Sequence, residues 1–228
     1  MSRLVAAVAL AWLGIGSGGQ PPAVPAPEDV EPVGVLVESA TYAGRPALRL
    51  LERDATRQGG MALLRGVHFT DGTITLTVAG RRGPHAVPAD RGFIGVAFRT
   101  RADRVAYEYI YLRPDNGRAD DQVRRNHATQ YAAQPDFDFD RLRRESPERY
   151  ESYVDLEPGA WTRMRIEVAG RTARLYVHDA AQPALVVTDL KLGTEGGGVA
   201  LWIGPGTEGY FTDVQVTPSR RRDRRPGR

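Results

Sequence analysis

From Val33 onward the chain repeats one device: short runs in which apolar and polar residues alternate with a period of two, interrupted by glycine or proline. Ile74, Leu76 and Val78 alternate with Thr73, Thr75 and Thr77; Met164, Ile166 and Val168 alternate with Arg163, Arg165 and Glu167; Ala173, Leu175 and Val177 alternate with Arg174, Tyr176 and His178. A two-residue period puts one set of side chains on each face of a pleated strand, so each run has a core face and a solvent face. No stripe with a helical period runs through the same stretch. Ala169, Gly170 and Arg171 join two of these runs, and glycine there supplies the positive φ of a tight hairpin. Further strands are expected over 35–40, 47–51, 92–99, 105–113, 122–131, 150–156, 185–188, 199–203 and 210–217. About a dozen such strands predict an all-β fold, a two-sheet antiparallel jelly-roll sandwich. Between Pro135 and Arg149 the alternation breaks into a charged insertion with room for one short helix around Leu142.

A chain of 228 residues can bury a single sandwich core, which sets one folded domain as the expectation. Its ends differ in composition. Residues 1–19 carry Arg3, an apolar run from Leu4 to Ile15 and then small residues, the pattern of a secretory signal. That run is shorter than the ~20 residues a membrane span requires, so no transmembrane segment is expected once the signal is removed. The expected location is extracytoplasmic, either periplasmic or secreted. Residues 20–32 hold five prolines and read as an extended linker, residues 33–217 as the domain, and residues 218–228 as an arginine-rich, disordered tail. Setting aside Arg3, the six tail arginines and Asp223 leaves 24 basic against 27 acidic residues, so the domain is slightly acidic despite the overall charge of +3. Such a domain is not expected to bind nucleic acid; the tail alone is suited to contacting anionic surfaces.

Cysteine is absent, which removes disulfides and thiol nucleophiles. Neither a Gly-x-Ser-x-Gly elbow nor a phosphate-binding loop occurs, and His68, His85, His127 and His178 lack zinc-like spacing. No cofactor is expected. Asp136, Asp138 and Asp140 imitate the start of a calcium loop, but Arg141 stands where glycine is needed, and a solvated acidic loop is the first reading, with calcium as the alternative.

The chemistry concentrates between Tyr107 and Tyr131. In a strand, Tyr107, Tyr109, Tyr111 and Arg113 share one face. Aromatic rings accept the C–H faces of sugars, while Arg, Asp and Asn side chains match sugar hydroxyls, so such a face suits carbohydrate. A half-buried sheet with tyrosine hydroxyls in water is the alternative. Arg113, Arg118, Arg124 and Arg125 lie among Asp115, Asp120 and Asp121, either as a ligand clamp or as a salt-bridge lattice. The candidate ligand contacts are Tyr109, Tyr111, Arg113, Asn116, Arg118, Arg124, Asn126, His127, Gln130 and Trp202. Glycoside cleavage needs two carboxyl groups ~5–9.5 Å apart, and Asp120, Asp121 and Glu151 are the catalytic candidates.

Three stretches, 92–99, 109–122 (Tyr-Ile-Tyr-Leu-Arg-Pro-Asp-Asn-Gly-Arg-Ala-Asp-Asp-Gln) and 201–211 (Leu-Trp-Ile-Gly-Pro-Gly-Thr-Glu-Gly-Tyr-Phe), resemble the 3-keto-disaccharide hydrolase domain family. The resemblance spans roughly residues 33–217 and implies the concanavalin A-like lectin/glucanase superfamily, a jelly roll with its ligand on a concave face. It implies carbohydrate binding or glycoside hydrolysis, since that scaffold carries both. The Glu-x-Asp-x-x-Glu strand of the superfamily's glucanases is missing; Glu151 to Glu157 has a different spacing. Three functions follow as expectations: an exported carbohydrate-binding protein, a hydrolase of a (3-keto-)disaccharide or related glycoside, and a structural envelope protein without ligand.

Overall fold

The computed structural model describes residues 23–54 and 58–219. The signal expected at 1–19 and the tail beyond Ser219 lie outside them. In chain order the strands are β1 (Val30–Val33), β2 (Val35–Tyr42), β3 (Arg45–Glu52), β4 (Gly60–Leu64), β5 (Gly72–Arg82), β6 (Ile94–Thr100) and β7 (Tyr107–Leu112). A helix, α1 (Gln122–Asn126), precedes β8 (Thr129–Gln134), and a second, α2 (Phe139–Glu145), precedes β9 (Glu151–Ser152). The rest are β10 (Thr162–Ala169), β11 (Thr172–Val177), β12 (Leu185–Val187), β13 (Gly198–Ile203) and β14 (Thr207–Pro218).

They form two seven-stranded antiparallel sheets. Sheet I runs β1-β4-β13-β6-β7-β8-β9 and sheet II runs β12-β11-β10-β5-β14-β3-β2. The alternating runs place their apolar members between the sheets: Ile74 and Leu76 pair with Ile166 and Met164, and all four are fully buried. From sheet I, Ile94, Val96, Phe98, Ile110, Leu112 and Leu201 meet them, also without solvent exposure. At ~25 cal/mol per Å² of apolar surface removed from water, a continuous two-sheet core is the main stabilising term. The β10–β11 hairpin turns at Gly170, whose φ is +57°, as its sequence predicts.

The structure corrects three expectations. Residues 122–131 are not one strand: Asp121 caps α1 by accepting the Arg124 N–H at 3.1 Å, and β8 starts only at Thr129. Polar residues on both faces gave that stretch no core face to hold it in a sheet. The strand expected over 150–156 shrinks to β9, because the sheet ends there. The linker expected over 20–32 is structured from Ala23 onward: Ala23 pairs with Val214, Val30 is buried in the core, and β1 pairs with β4. The charged insertion does fold into one short helix, α2, with Leu142 as its buried anchor.

Candidate functional site

One transverse row crosses the outer face of sheet I. Register aligns Met61 with Trp202, Trp202 with Gly95, Gly95 with Tyr111, Tyr111 with Gln130, and Gln130 with Glu151. The neighbouring row places Ala200, Ala97, Tyr109 and Ala132 in line. Small residues on β6 leave room for large rings on either side: Trp202 lies 4.9 Å from Tyr111 and 5.0 Å from Tyr109, and the two tyrosines stack at 5.5 Å. The face predicted to carry Tyr107, Tyr109, Tyr111 and Arg113 therefore exists, but its rings pack against one another, stacked or tilted. Tyr109 is 5% exposed, Tyr111 3% and Trp202 8%. Burial accordingly raises both tyrosine pKa values.

At the β8–β9 end the row becomes ionic. Arg113 donates to Glu151 Oε1 at 2.9 Å, to Gln130 Oε1 at 3.0 Å, to the Tyr111 hydroxyl at 3.1 Å and to the His127 carbonyl at 3.2 Å. Arg143, from α2, closes on the other side of Glu151 with its Nε 2.9 Å from Oε2, and Phe139 of the same helix lies against the Arg113 guanidinium. Burial alone would raise the Glu151 pKa, but the hydrogen bonds from Arg143 and Arg113 outweigh it and hold the carboxyl below its usual range. Desolvation, joined by the charges of Arg143 and Arg113, lowers the His127 pKa although Glu151 faces the ring at 3.6 Å. A carboxylate fixed between two guanidiniums is a poor proton donor. Arg113 thus pairs with Glu151 and not with Asp115, Asp120 or Asp121, among which the sequence placed it; Asp115 pairs with Arg82 at 2.6 Å.

The remaining candidates divide between bracing and exposure. Asn116 donates to the His127 carbonyl at 2.9 Å and accepts from Arg124 Nε at 2.9 Å, while Arg124 also reaches the Asp115 carbonyl. Asp121 caps α1; Asp120 and Asn126 are exposed. Asp138 caps α2 by accepting the Arg141 N–H at 2.8 Å, and among the described residues no three His, Asp or Glu side chains cluster as metal ligands.

Beside this lattice the surface opens into a cleft of about 370 Å³ lined by Gly117, Arg118, Gln122, Arg125 and Tyr153. That volume falls within the ~300–1,000 Å³ typical of small-ligand sites. Tyr153 follows β9 directly and is 51% exposed, in contrast to the buried tyrosines of the row. A leucine cannot replace Gly117, because even a Cβ there would meet the Leu156 nitrogen at 2.3 Å; the close approach brings the 153–157 segment against the α1 loop. Arg118 donates to Asp155 through Nε at 2.8 Å and Nη2 at 3.3 Å, and to Glu157 through Nη1 at 2.8 Å. Arg125 donates to Gln122 Oε1 at 2.6 Å, and Gln122 in turn donates to Asn126 at 2.8 Å.

Of this cleft the sequence pointed to Arg118 as a ligand contact and to Arg125 as a member of a possible clamp, placed Gln122 on a strand, and gave no signal for Gly117 or Tyr153. Gln122 and Arg125 stand three apart on α1 and so share a helix face. Read as a strand, the same residues fall on opposite faces. The signal that would have found them is the Asp121 cap.

No protein-family model matches the chain, and no curated protein matches it. Among solved structures, a carbohydrate-binding module, CBM66, from Bacillus subtilis matches with a TM-score of 0.54 at 11% identity, over 80% of this chain and 94% of that one. A Bacillus subtilis protein of unknown function with a galectin-like fold matches at 0.52 and 10% identity, over 82% and 88%. The exoplasmic/lumenal domain of VIP36, in a Ca2+/Man3GlcNAc-bound form, matches at 0.51 and 10% identity, over 91% and 94%. At these identities the likeness is one of fold. The chain shares with them a jelly-roll sandwich of two antiparallel sheets, and the concanavalin A-like and 3-keto-disaccharide hydrolase resemblances rest on the residues quoted above.

Proposed function

We propose that the protein is an exported carbohydrate-binding β-sandwich whose ligand docks in the cleft of Tyr153, Gln122, Arg118 and Arg125. The observation that carries this reading is the exposed Tyr153 ring beside guanidinium and amide groups in one open cleft. The negative face of an aromatic ring attracts the C–H groups of a pyranose, and planar N–H donors at its rim match hydroxyl pairs. Asn126 accepts from the cleft residue Gln122 at 2.8 Å, while Tyr109, Tyr111 and Trp202 lie in the buried row outside the cleft lining. The fold is shared with a protein described as a carbohydrate-binding module, which favours this class. Residues 1–19 direct export, and no helix among the described residues is long and apolar enough to cross a membrane. The test is a glycan array probed with the wild type and with Tyr153→Ala. Retention by the wild type and loss in the variant supports the proposal; retention of nothing leaves a structural envelope role.

A hydrolase acting on a (3-keto-)disaccharide is a second reading, favoured by the exposure of Asp120 and Asp121 on the segment leading into α1. Glu151, held ionised by two arginines, is then a scaffold and not the acid. Release of free sugar from a 3-keto-glucoside, abolished in Asp120→Asn or Asp121→Asn, would establish it; no release by the wild type would end it.

A further inference from the structure

We infer that the glycan taken by the Tyr153 cleft is acidic, and that Arg125 recognises the carboxylate of a uronic-acid residue; this rests on the carbohydrate-binding reading above. The arginines around the cleft differ in how many of their donors are already engaged. Arg118 is spent, with all three of its nitrogens on Asp155 and Glu157. Arg124 is turned away to Asn116 and the Asp115 carbonyl. Arg125 uses one nitrogen, Nη2, on Gln122, and its Nε and Nη1 have no protein acceptor among the described residues.

Among the described residues Arg125 also has no ion-pair partner. Asp121, one helical turn before it, caps α1 through the Arg124 N–H, and no carboxylate lines the cleft. Asp155 and Glu157 offset the charge of Arg118, so Arg125 is the lining cation that no carboxylate contacts among the described residues, whereas neutral sugars require no such cation. The Arg125–Gln122–Asn126 chain fixes the guanidinium plane before ligand arrives, so little side-chain entropy is lost on binding. A planar carboxylate matches the two remaining N–H directions in charge and geometry.

The experiment titrates the full chain calorimetrically with a panel of glucuronate-, galacturonate- and mannuronate-containing oligosaccharides, each paired with its carboxyl-reduced neutral counterpart. At least one acidic member is expected to bind ~10-fold or more tightly than its neutral partner, a free-energy difference of about 1.4 kcal/mol. That preference should disappear in Arg125→Gln and shrink with added salt, since the Debye length falls from ~10 Å at 0.1 M to ~3 Å at 1 M. Tyr153→Ala should weaken acidic and neutral members alike. Equal affinity within every pair, or a preference that survives Arg125→Gln, overturns the acidic-ligand inference while leaving carbohydrate binding intact. Absence of binding by every member of both series overturns both.

Discussion

Arg113 and Glu151 meet at 2.9 Å across β9 and the end of β7 with both side chains withdrawn from water. A buried ion pair is costly to break from one side, because the partner keeps its charge and loses its compensation. Glu151→Gln should therefore lower the free energy of unfolding by ~3–5 kcal/mol, measured by denaturant titration. A variant as stable as the wild type would refute the bracing role. Glycan binding at the cleft, normalised to folded protein, should be unchanged, which separates bracing from catalysis.

The same pair sets an acid limit. Glu151 has a lowered folded pKa, since the hydrogen bonds from Arg143 and Arg113 overcome the effect of burial. A depressed carboxylate contributes stability that is present above its unfolded pKa of ~4.3 and is lost as pH falls through the folded value. Wild type minus Glu151→Gln stability should shrink steadily below about pH 4.3. A difference independent of pH would mean that the carboxylate is not held ionised.

Glu108 predicts the opposite slope. It points between the sheets, accepting the Leu192 N–H at 2.8 Å and bonding the Tyr131 hydroxyl, which itself accepts the Lys191 N–H at 2.8 Å. Burial raises its pKa, against the lowering effects of Tyr131, the Leu192 N–H and the Arg99 charge. A raised carboxyl contributes stability fully present below ~4.3 and lost as pH climbs through the folded value. Glu108→Gln cannot ionise, so the stability of wild type relative to this variant should decline from pH 4 toward neutrality. A flat difference profile would show that Glu108 does not titrate on folding.

The two carboxylates also show what the sequence could and could not reveal. Both sit in strands that the alternation identified or bordered, and the alternation correctly sent Glu108 to the face opposite Tyr109. It could not say which face was the core, because Tyr109 and Ile110 are both hydrophobic enough to be buried. The fold was legible since period-two patterning is local and repeated in Ile74 to Val78 and Met164 to Val177. The site was not, because it depends on α1, whose five residues carry no apolar stripe, and on the close approach of Gly117 to Leu156 from distant parts of the chain.

Gly95 is the spacer of the transverse row. A Cβ at this position would lie 2.2 Å from the Ile110 carbonyl oxygen and 2.7 Å from the Tyr111 Cβ, distances only a backbone shift can relieve. Gly95→Ala should destabilise by ~1–3 kcal/mol, the usual cost of overpacking, and should alter the near-UV circular dichroism of the tyrosine–tryptophan cluster. An unperturbed spectrum at wild-type stability would show that the rings are not held by this strand spacing.

Tyr153 and Trp202 make the sharpest contrast, since both are aromatic and near the same sheet but only one is exposed. Trp202 fills the gap between Tyr109 and Tyr111 at 8% exposure, so Trp202→Ala removes ring contacts and leaves a void, with an expected loss of ~3–5 kcal/mol. Tyr153 is half in water, and Tyr153→Ala should change stability by no more than ~0.5 kcal/mol, as for most surface substitutions. Glycan affinity should respond in reverse: lost in the folded, stable Tyr153→Ala protein and retained by whatever fraction of Trp202→Ala remains native. Binding that follows Trp202 and ignores Tyr153 would move the ligand from the cleft onto the outer face of sheet I. The aromatic row would then have to open to admit a sugar, and protection of Tyr109 and Tyr111 from solvent would fall on ligand addition.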